Sequence, residues 1–166
     1  FVLHSSDLPK GRGWAPIYHS IADNYKEFVI SLIKINKFID QGNIFLKLKF
    51  DMPKMINNSN LRDIDESACG VVINHFIELC FSNKINKNTK GLKQDNSKSS
   101  YHRKRKPDDS FIDKDESISK SINKLLATSQ EYSSFVIIDN IKVYLNAKIE
   151  KQYKLSEVNY IIETYI

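Results

Sequence analysis

The sequence predicts an α/β fold: an open, mostly parallel sheet with helices on both faces and a small β-containing C-terminal appendage. Three observations carry this. Residues Phe28–Ile35 form a β-branched apolar run suited to a strand buried on both faces. Residues Ile44–Phe50 alternate, with Ile44, Leu46, Leu48 and Phe50 on one side and Lys47 and Lys49 on the other. Residues Asn60–Phe81 carry a helical period that puts Leu61, Ile64, Ala68, Val71, Val72, His75 and Leu79 on one face.

The remaining elements follow in chain order. Phe1–Ser5 reads as a short strand and Asp7–Gly13 as a polar loop punctuated by Pro9, Gly11 and Gly13. Pro16–Asn24 suits a short helix, because a proline in the first turn loses no hydrogen bond there. Asn36–Asn43 is a loop, and Asn58 or Ser59 is the expected N-cap of the long helix. Lys84–Ser100 is rich in Asn, Lys and Ser and reads as a mobile basic linker. A helix over Asp115–Ala127 follows. After it comes a hairpin, Phe135–Ile138 with Ile141–Leu145, turning at Asp139 and Asn140. Val158–Ile166 is apolar and is left without an assigned element.

Composition excludes several function classes. The chain has 166 residues, 41% hydrophobic and 27% charged, enough for one domain with its own core. No apolar run approaches the ~18 residues of a membrane span. The formal charge is +5, but nine Lys/Arg and one Asp lie between Lys84 and Lys106. The other 16 basic and 19 acidic residues leave the rest of the chain at −3, which argues against a general nucleic-acid surface. Cys69 and Cys80 fall on one helix roughly 16 Å apart, too far for a disulfide. Neither has zinc-ligand spacing, so both read as buried, inert thiols of a cytoplasmic protein, and no metal site is expected.

Two loops hold the chemistry. His4 closes the first strand and Asp40 follows the Phe28–Ile35 strand, and ligands of open α/β sheets bind beyond such strand ends. The other histidines read as packing or surface residues. Lys10, Gly11, Arg12 and Gly13 make tight-turn chemistry a simpler reading than a phosphate loop.

The segment HSSDLPKGRGWAP from His4 resembles the HxSxLPxxRGxxP segment of formyltransferases that use 10-formyltetrahydrofolate. FIDQGNIF, which contains Asp40, is similar to their (L/V)DxGxI(Y/L) segment, and YHRKRKPDDS from Tyr101 to their YxxRRxPxDS. The resemblance runs from His4 to about Leu145. It implies a Rossmann-like formyltransferase fold in partial form, without the strand–helix units that precede this point in the family. Residues 1–83 would be the C-terminal half of the catalytic domain, 84–100 a flexible linker, and 101–166 a helix and hairpin region.

The same resemblance implies roles. His4 would donate to the oxyanion formed when an amine attacks the formyl carbon, and Asp40 would orient the imidazole and take the amine's proton. Leu8, Pro9, Arg12, Gly13 and Gly42 would contact the folate; Lys10, Trp14, Arg103 and Arg105 would contact the acceptor. The expected acceptor is a primary amine, first of all on an amino sugar nucleotide. The alternatives are methionyl-tRNA, the one nucleic acid in view, and a truncated, non-catalytic member of the family. A homodimer is left open. The family places an Asn two residues before the histidine, and here that residue is Val2.

Overall fold

A computed structural model describes all 166 residues. Its main sheet has four strands: β1 (Val2–His4), β3 (Glu27–Lys34), β4 (Asn43–Asp51) and β8 (Tyr160–Thr164), in the order β1-β3-β4-β8. Between β1 and β3 lie β2 (Arg12–Gly13) and helix α1 (Pro16–Ala22). After β4 come α2 (Asn58–Phe81), β5 (Tyr101–His102), α3 (Ile118–Ala127) and the hairpin β6 (Phe135–Ile138) with β7 (Ile141–Tyr144).

The expected strand direction is corrected. Every pair in the main sheet is antiparallel, and only the two-residue pair β2–β5 is parallel. For β3 and β4 the reason is chain length: the loop between them is shorter than the dozen or more residues that a parallel crossover requires, so the two strands form a hairpin.

The helices also gather on one face. Phe28, Ile30, Leu32, Leu46, Leu48 and Phe50 pack with Ile17 and Ile21 of α1, with Leu61, Ile64, Ala68 and Val72 of α2, and with Leu126 and Ala127 of α3. The buried apolar cluster of the other face is small, Leu8, Ile33 and Ile44 with Tyr165 beside them. There Lys47 runs under the His4–Gly13 loop, donating to the Leu8 carbonyl at 2.7 Å and to Asp7.

A β-bulge explains why Ile44 is not on the side that strict alternation assigned. Leu32 opposes Leu46 and Ile33 opposes Ile44, so Phe45 is an extra residue in β4. An inserted residue reverses the in–out parity beyond it. Phe45 therefore packs in the large cluster, while Ile44 turns to Leu8 and Ile33.

Capping and termini also differ in detail. The side chain of Asn57 caps α2 by accepting from the Asn60 amide at 2.9 Å. Asn58 instead donates to the Ala127 carbonyl at 2.8 Å, tying α2 to the end of α3. The apolar stretch near the C-terminus becomes β8, paired along β4 from Leu46 to Phe50. Asp139 and Asn140 both take positive φ, 50° and 62°, as a two-residue hairpin turn of the primed type demands. Cys69 is partly buried, and burial pushes its thiol up to about 12; Cys80 is exposed rather than buried. No helix is long and apolar enough to cross a membrane.

Residues 84–100, read as a free linker, are docked along β4. Ile85 enters the core. Leu92 exchanges two backbone hydrogen bonds with Ile44, both 2.8 Å, and Asn43 donates to the Lys90 carbonyl at 2.8 Å. Gly91 has φ +69°, and a Cβ there would lie 2.6 Å from the Phe45 ring and 2.7 Å from the Ile44 carbonyl oxygen. Few apolar side chains are needed because the docking uses backbone and amide groups, which composition does not reveal.

Candidate active site

The site forms where three segments converge: the loop after β1, the β3–β4 loop and the docked strap. His4 and Asp40 meet, with Nδ1 and Oδ2 3.8 Å apart and both side chains mostly buried. They meet although their strands run antiparallel, because each loop folds back towards the other. The Gly11 carbonyl, which can only accept, lies 2.9 Å from His4 Nε2, so Nε2 carries the hydrogen and Nδ1 is the ring nitrogen turned to Asp40.

Asp40 sits in a left-handed turn, φ 53°. Its Oδ2 accepts from the Gly13 amide at 2.8 Å, which aims the carboxylate at the histidine. Gly42 is required by the turn itself. A Cβ there would fall 1.9 Å from the Lys34 carbonyl oxygen, so the close approach it permits is within the chain.

Arg12 and Gln94, 6% and 7% exposed, lie behind the turn. Arg12 donates to Gln94 Oε1 from Nε at 3.1 Å and from Nη2 at 2.7 Å, and to Asn96 Oδ1 at 2.8 Å. Burial lowers the Arg12 pKa, and the neighbouring Asp40 charge opposes that shift. Gln94 Nε2 donates to two carbonyls, Asp40 at 2.8 Å and Gly42 at 2.7 Å. Ser100 Oγ accepts from the Gly11 amide at 2.8 Å.

Other residues singled out from the sequence fall in different places. Leu8 is fully buried with Ile33 and Ile44 and anchors the loop; Arg12 likewise faces inward. Two cavities meet at Ser5, next to His4. One, about 420 Å³, is walled by Trp14, Tyr18, Arg62, Asp65 and Arg105 among others. The second, about 450 Å³, is walled by Ser6, Lys10, Gly11, Tyr25 and Lys26 among others. Lys10 and Trp14 are thus on different sides of His4. Arg105 stacks on Tyr18 at 3.5 Å and lines the first cavity. Arg103 does not line it: it is paired with Asp109 at 2.6 and 2.8 Å, and this hydrogen bonding holds the Asp109 carboxyl down at about 2.

Several functional candidates escaped sequence reasoning. Asp65 accepts from Ser5 Oγ at 2.7 Å, and burial raises its carboxyl. Phe38 and Ile39, directly before Asp40, are 54% and 62% exposed. Gln94 and Asn96 stand in a polar tract with no periodicity. Their one usable signal was an amide's ability to donate and accept at once. The rings of His19 and His102 stack at 3.6 Å between centroids, a contact that no local pattern announces.

No protein-family profile matches the chain. It is 32% identical over 142 residues to a methionyl-tRNA formyltransferase of Mycoplasmopsis pulmonis, covering 85% of this chain and 48% of the relative. The chain thus spans about half that relative's length. Among solved structures, a 4-N formyltransferase from Francisella tularensis superposes with a TM-score of 0.74 at 22% identity, over 90% of this chain and 62% of the other. An N-formyltransferase from Helicobacter canadensis, in complex with folinic acid and dTDP-3-aminofucose, gives 0.68 at 20% identity, over 99% and 65%. These likenesses establish the Rossmann-like formyltransferase fold in partial form.

Proposed function

We infer that this chain, which belongs to the formyltransferase family, serves transfer of a formyl group from 10-formyltetrahydrofolate to a primary amine, first of all on an amino sugar nucleotide. The observation that carries the reading is the His4–Asp40 pair at 3.8 Å, with the carboxylate fixed by the Gly13 amide. When bound, the folate supplies an activated formyl carbon. The exposed apolar side chains of Phe38 and Ile39, next in sequence to Asp40, suit contact with a flat aromatic donor.

The chain's own residues would do the rest. As the amine attacks, it becomes a cation and must lose a proton, for which Asp40 would be the acceptor; that proton would then leave on the tetrahydrofolate nitrogen as its bond to the formyl carbon breaks. The developing oxyanion needs a donor, and Val2 provides none, so the role falls to the imidazole. To take it, His4 must release the Gly11 carbonyl that now holds its Nε2 hydrogen, or be protonated at Nδ1. The cavity of Trp14, Arg62 and Arg105 suits an acceptor that combines a planar base with phosphates.

A second reading keeps this chemistry with methionyl-tRNA as acceptor, which the name of the Mycoplasmopsis relative favours. The confinement of basic charge to residues 84–106 favours the sugar. Formyl transfer from 10-formyltetrahydrofolate, measured in parallel on an amino sugar nucleotide and on methionyl-tRNA, decides between them. Asp40→Asn is expected to lower kcat about 100- to 1000-fold, the usual loss for one transition-state contact of this kind. Transfer to neither acceptor, or an Asp40→Asn protein of undiminished rate, rejects the proposal.

A further inference from the structure

We propose that Gln94 is a positioning residue for Asp40: its carboxamide locks the Asp40–Gly42 turn to Arg12 and so holds the carboxylate on the Gly13 amide and towards His4. That Asp40 is catalytic rests on the formyl-transfer reading; that Gln94 holds it does not.

The bonding demands an amide at this position. Two carbonyl oxygens, of Asp40 and Gly42, face Nε2 at 2.8 and 2.7 Å and can be satisfied only by N–H donors. Arg12 faces Oε1 at 3.1 and 2.7 Å and can be satisfied only by an acceptor. A carboxylate would serve Arg12 but turn lone pairs on both carbonyls; a lysine would serve the carbonyls and repel Arg12. Gln94, Arg12 and Gly42 are all buried, so water is a poor substitute for these bonds.

The turn needs such a hold. Asp40 is in a left-handed conformation that costs a non-glycine residue energy. The residues before it, Phe38 and Ile39, are exposed and give little packing support. Across the turn, the Asp40 and Gly42 carbonyls flank the peptide units that aim the side chain. Clamping both fixes the direction of Oδ2, and the only recorded partner of Oδ2 besides His4 is the Gly13 amide.

Neighbouring amides provide an internal control. Arg12 and Trp14 donate to the Ser100 and His102 carbonyls, both at 3.0 Å, and so report the β2–β5 pairing. Gly13, between them, donates to the Asp40 carboxylate and reports the aim of that side chain. Amide hydrogen exchange of the full chain, followed by NMR, is to be compared for the wild type, Gln94→Glu and Gln94→Asn. The first variant is nearly isosteric but lacks the donors; the second keeps the amide but is one methylene too short to bridge.

We expect Gly13 exchange to accelerate at least about tenfold, the ratio that one charge-assisted hydrogen bond represents, while Arg12 and Trp14 keep their protection. Formyl transfer is the second arm: kcat should fall about 100-fold for a misplaced catalytic group, with KM for the formyl donor unchanged. Unchanged Gly13 exchange in both variants overturns the proposal, as does joint loss of all three amides, which would make Gln94 a folding element. A wild type without transfer activity would reject the proposed function, and the Gly13 comparison would still decide the role of Gln94.

Discussion

The helix-covered face of the sheet and the site at its margin are built from the same strands by different means. On the face, Phe28, Ile30, Leu32, Leu46, Leu48 and Phe50 lose their water to three helices, and no polar group is needed to orient them. At the margin, Asp40, Gly13, Arg12, Gln94 and Ser100 are placed by donors and acceptors that each match a particular partner. Apolar burial is non-directional and grows with area; hydrogen bonding is directional and contributes modestly in net terms. The first region therefore supplies stability, and the second supplies geometry at little gain in stability.

Substitutions can break that contrast. The largest loss should come from the face: Leu48→Ala leaves a cavity at a fully buried position and is expected to cost about 3 kcal/mol in urea denaturation. Gly42→Ala should follow at about 2 kcal/mol, because the new Cβ must displace the Lys34 carbonyl. Its damage should concentrate at the Asp40 turn, visible as faster exchange of the Gly13 amide. If Gly42→Ala proves the costlier of the two, the margin contributes more stability than hydrogen-bond arithmetic allows.

A smaller effect concerns pH. Burial, and then the stacked His102, lowers the His19 pKa from its ordinary 6.5, while Asp23 at 3.3 Å opposes them and Arg105 adds to them. The unfolded chain then binds the proton more tightly than the folded one. The stack's contribution is intact above 6.5 and is lost as pH falls below that value. The melting temperature should drop between about pH 8 and about pH 5.5, and less steeply in His19→Gln. An identical slope in the variant would assign the drop to other groups.

Legibility in the sequence divides along the same line. Period and alternation located β3, β4 and α2 to within two residues or so, because burial imposes a repeat that the chain displays. The β3–β4 direction was missed because it depends on the length of the loop between them, and the side taken by Ile44 was missed because one extra residue reverses parity. His4 and Asp40 were found through motif resemblance, and the structure brings them together. What holds them was not found. Gln94, Asn96 and Ser100 lie in a tract whose composition resembles a solvated linker, and a hydrogen-bond partner many residues away leaves no periodic trace. Leu8 and Gly42 were singled out as ligand contacts from the motif alone; that Leu8 packs on Ile33 and Ile44, and that Gly42 abuts the Lys34 carbonyl, had no signal in the sequence.

The strap also sets an order of assembly. Gln94 reaches Arg12 across 82 residues and Asp40 across 54, and Ser100 reaches Gly11 across 89. The β3–β4 hairpin, by contrast, closes over a short loop, so its loop-closure entropy is small and it can form early. A chain emerging from the ribosome can pair these two strands and begin α2 while the Asp40 turn still lacks its clamp. The contacts that hold the Asp40 turn can form only after residue 100 has emerged and docked.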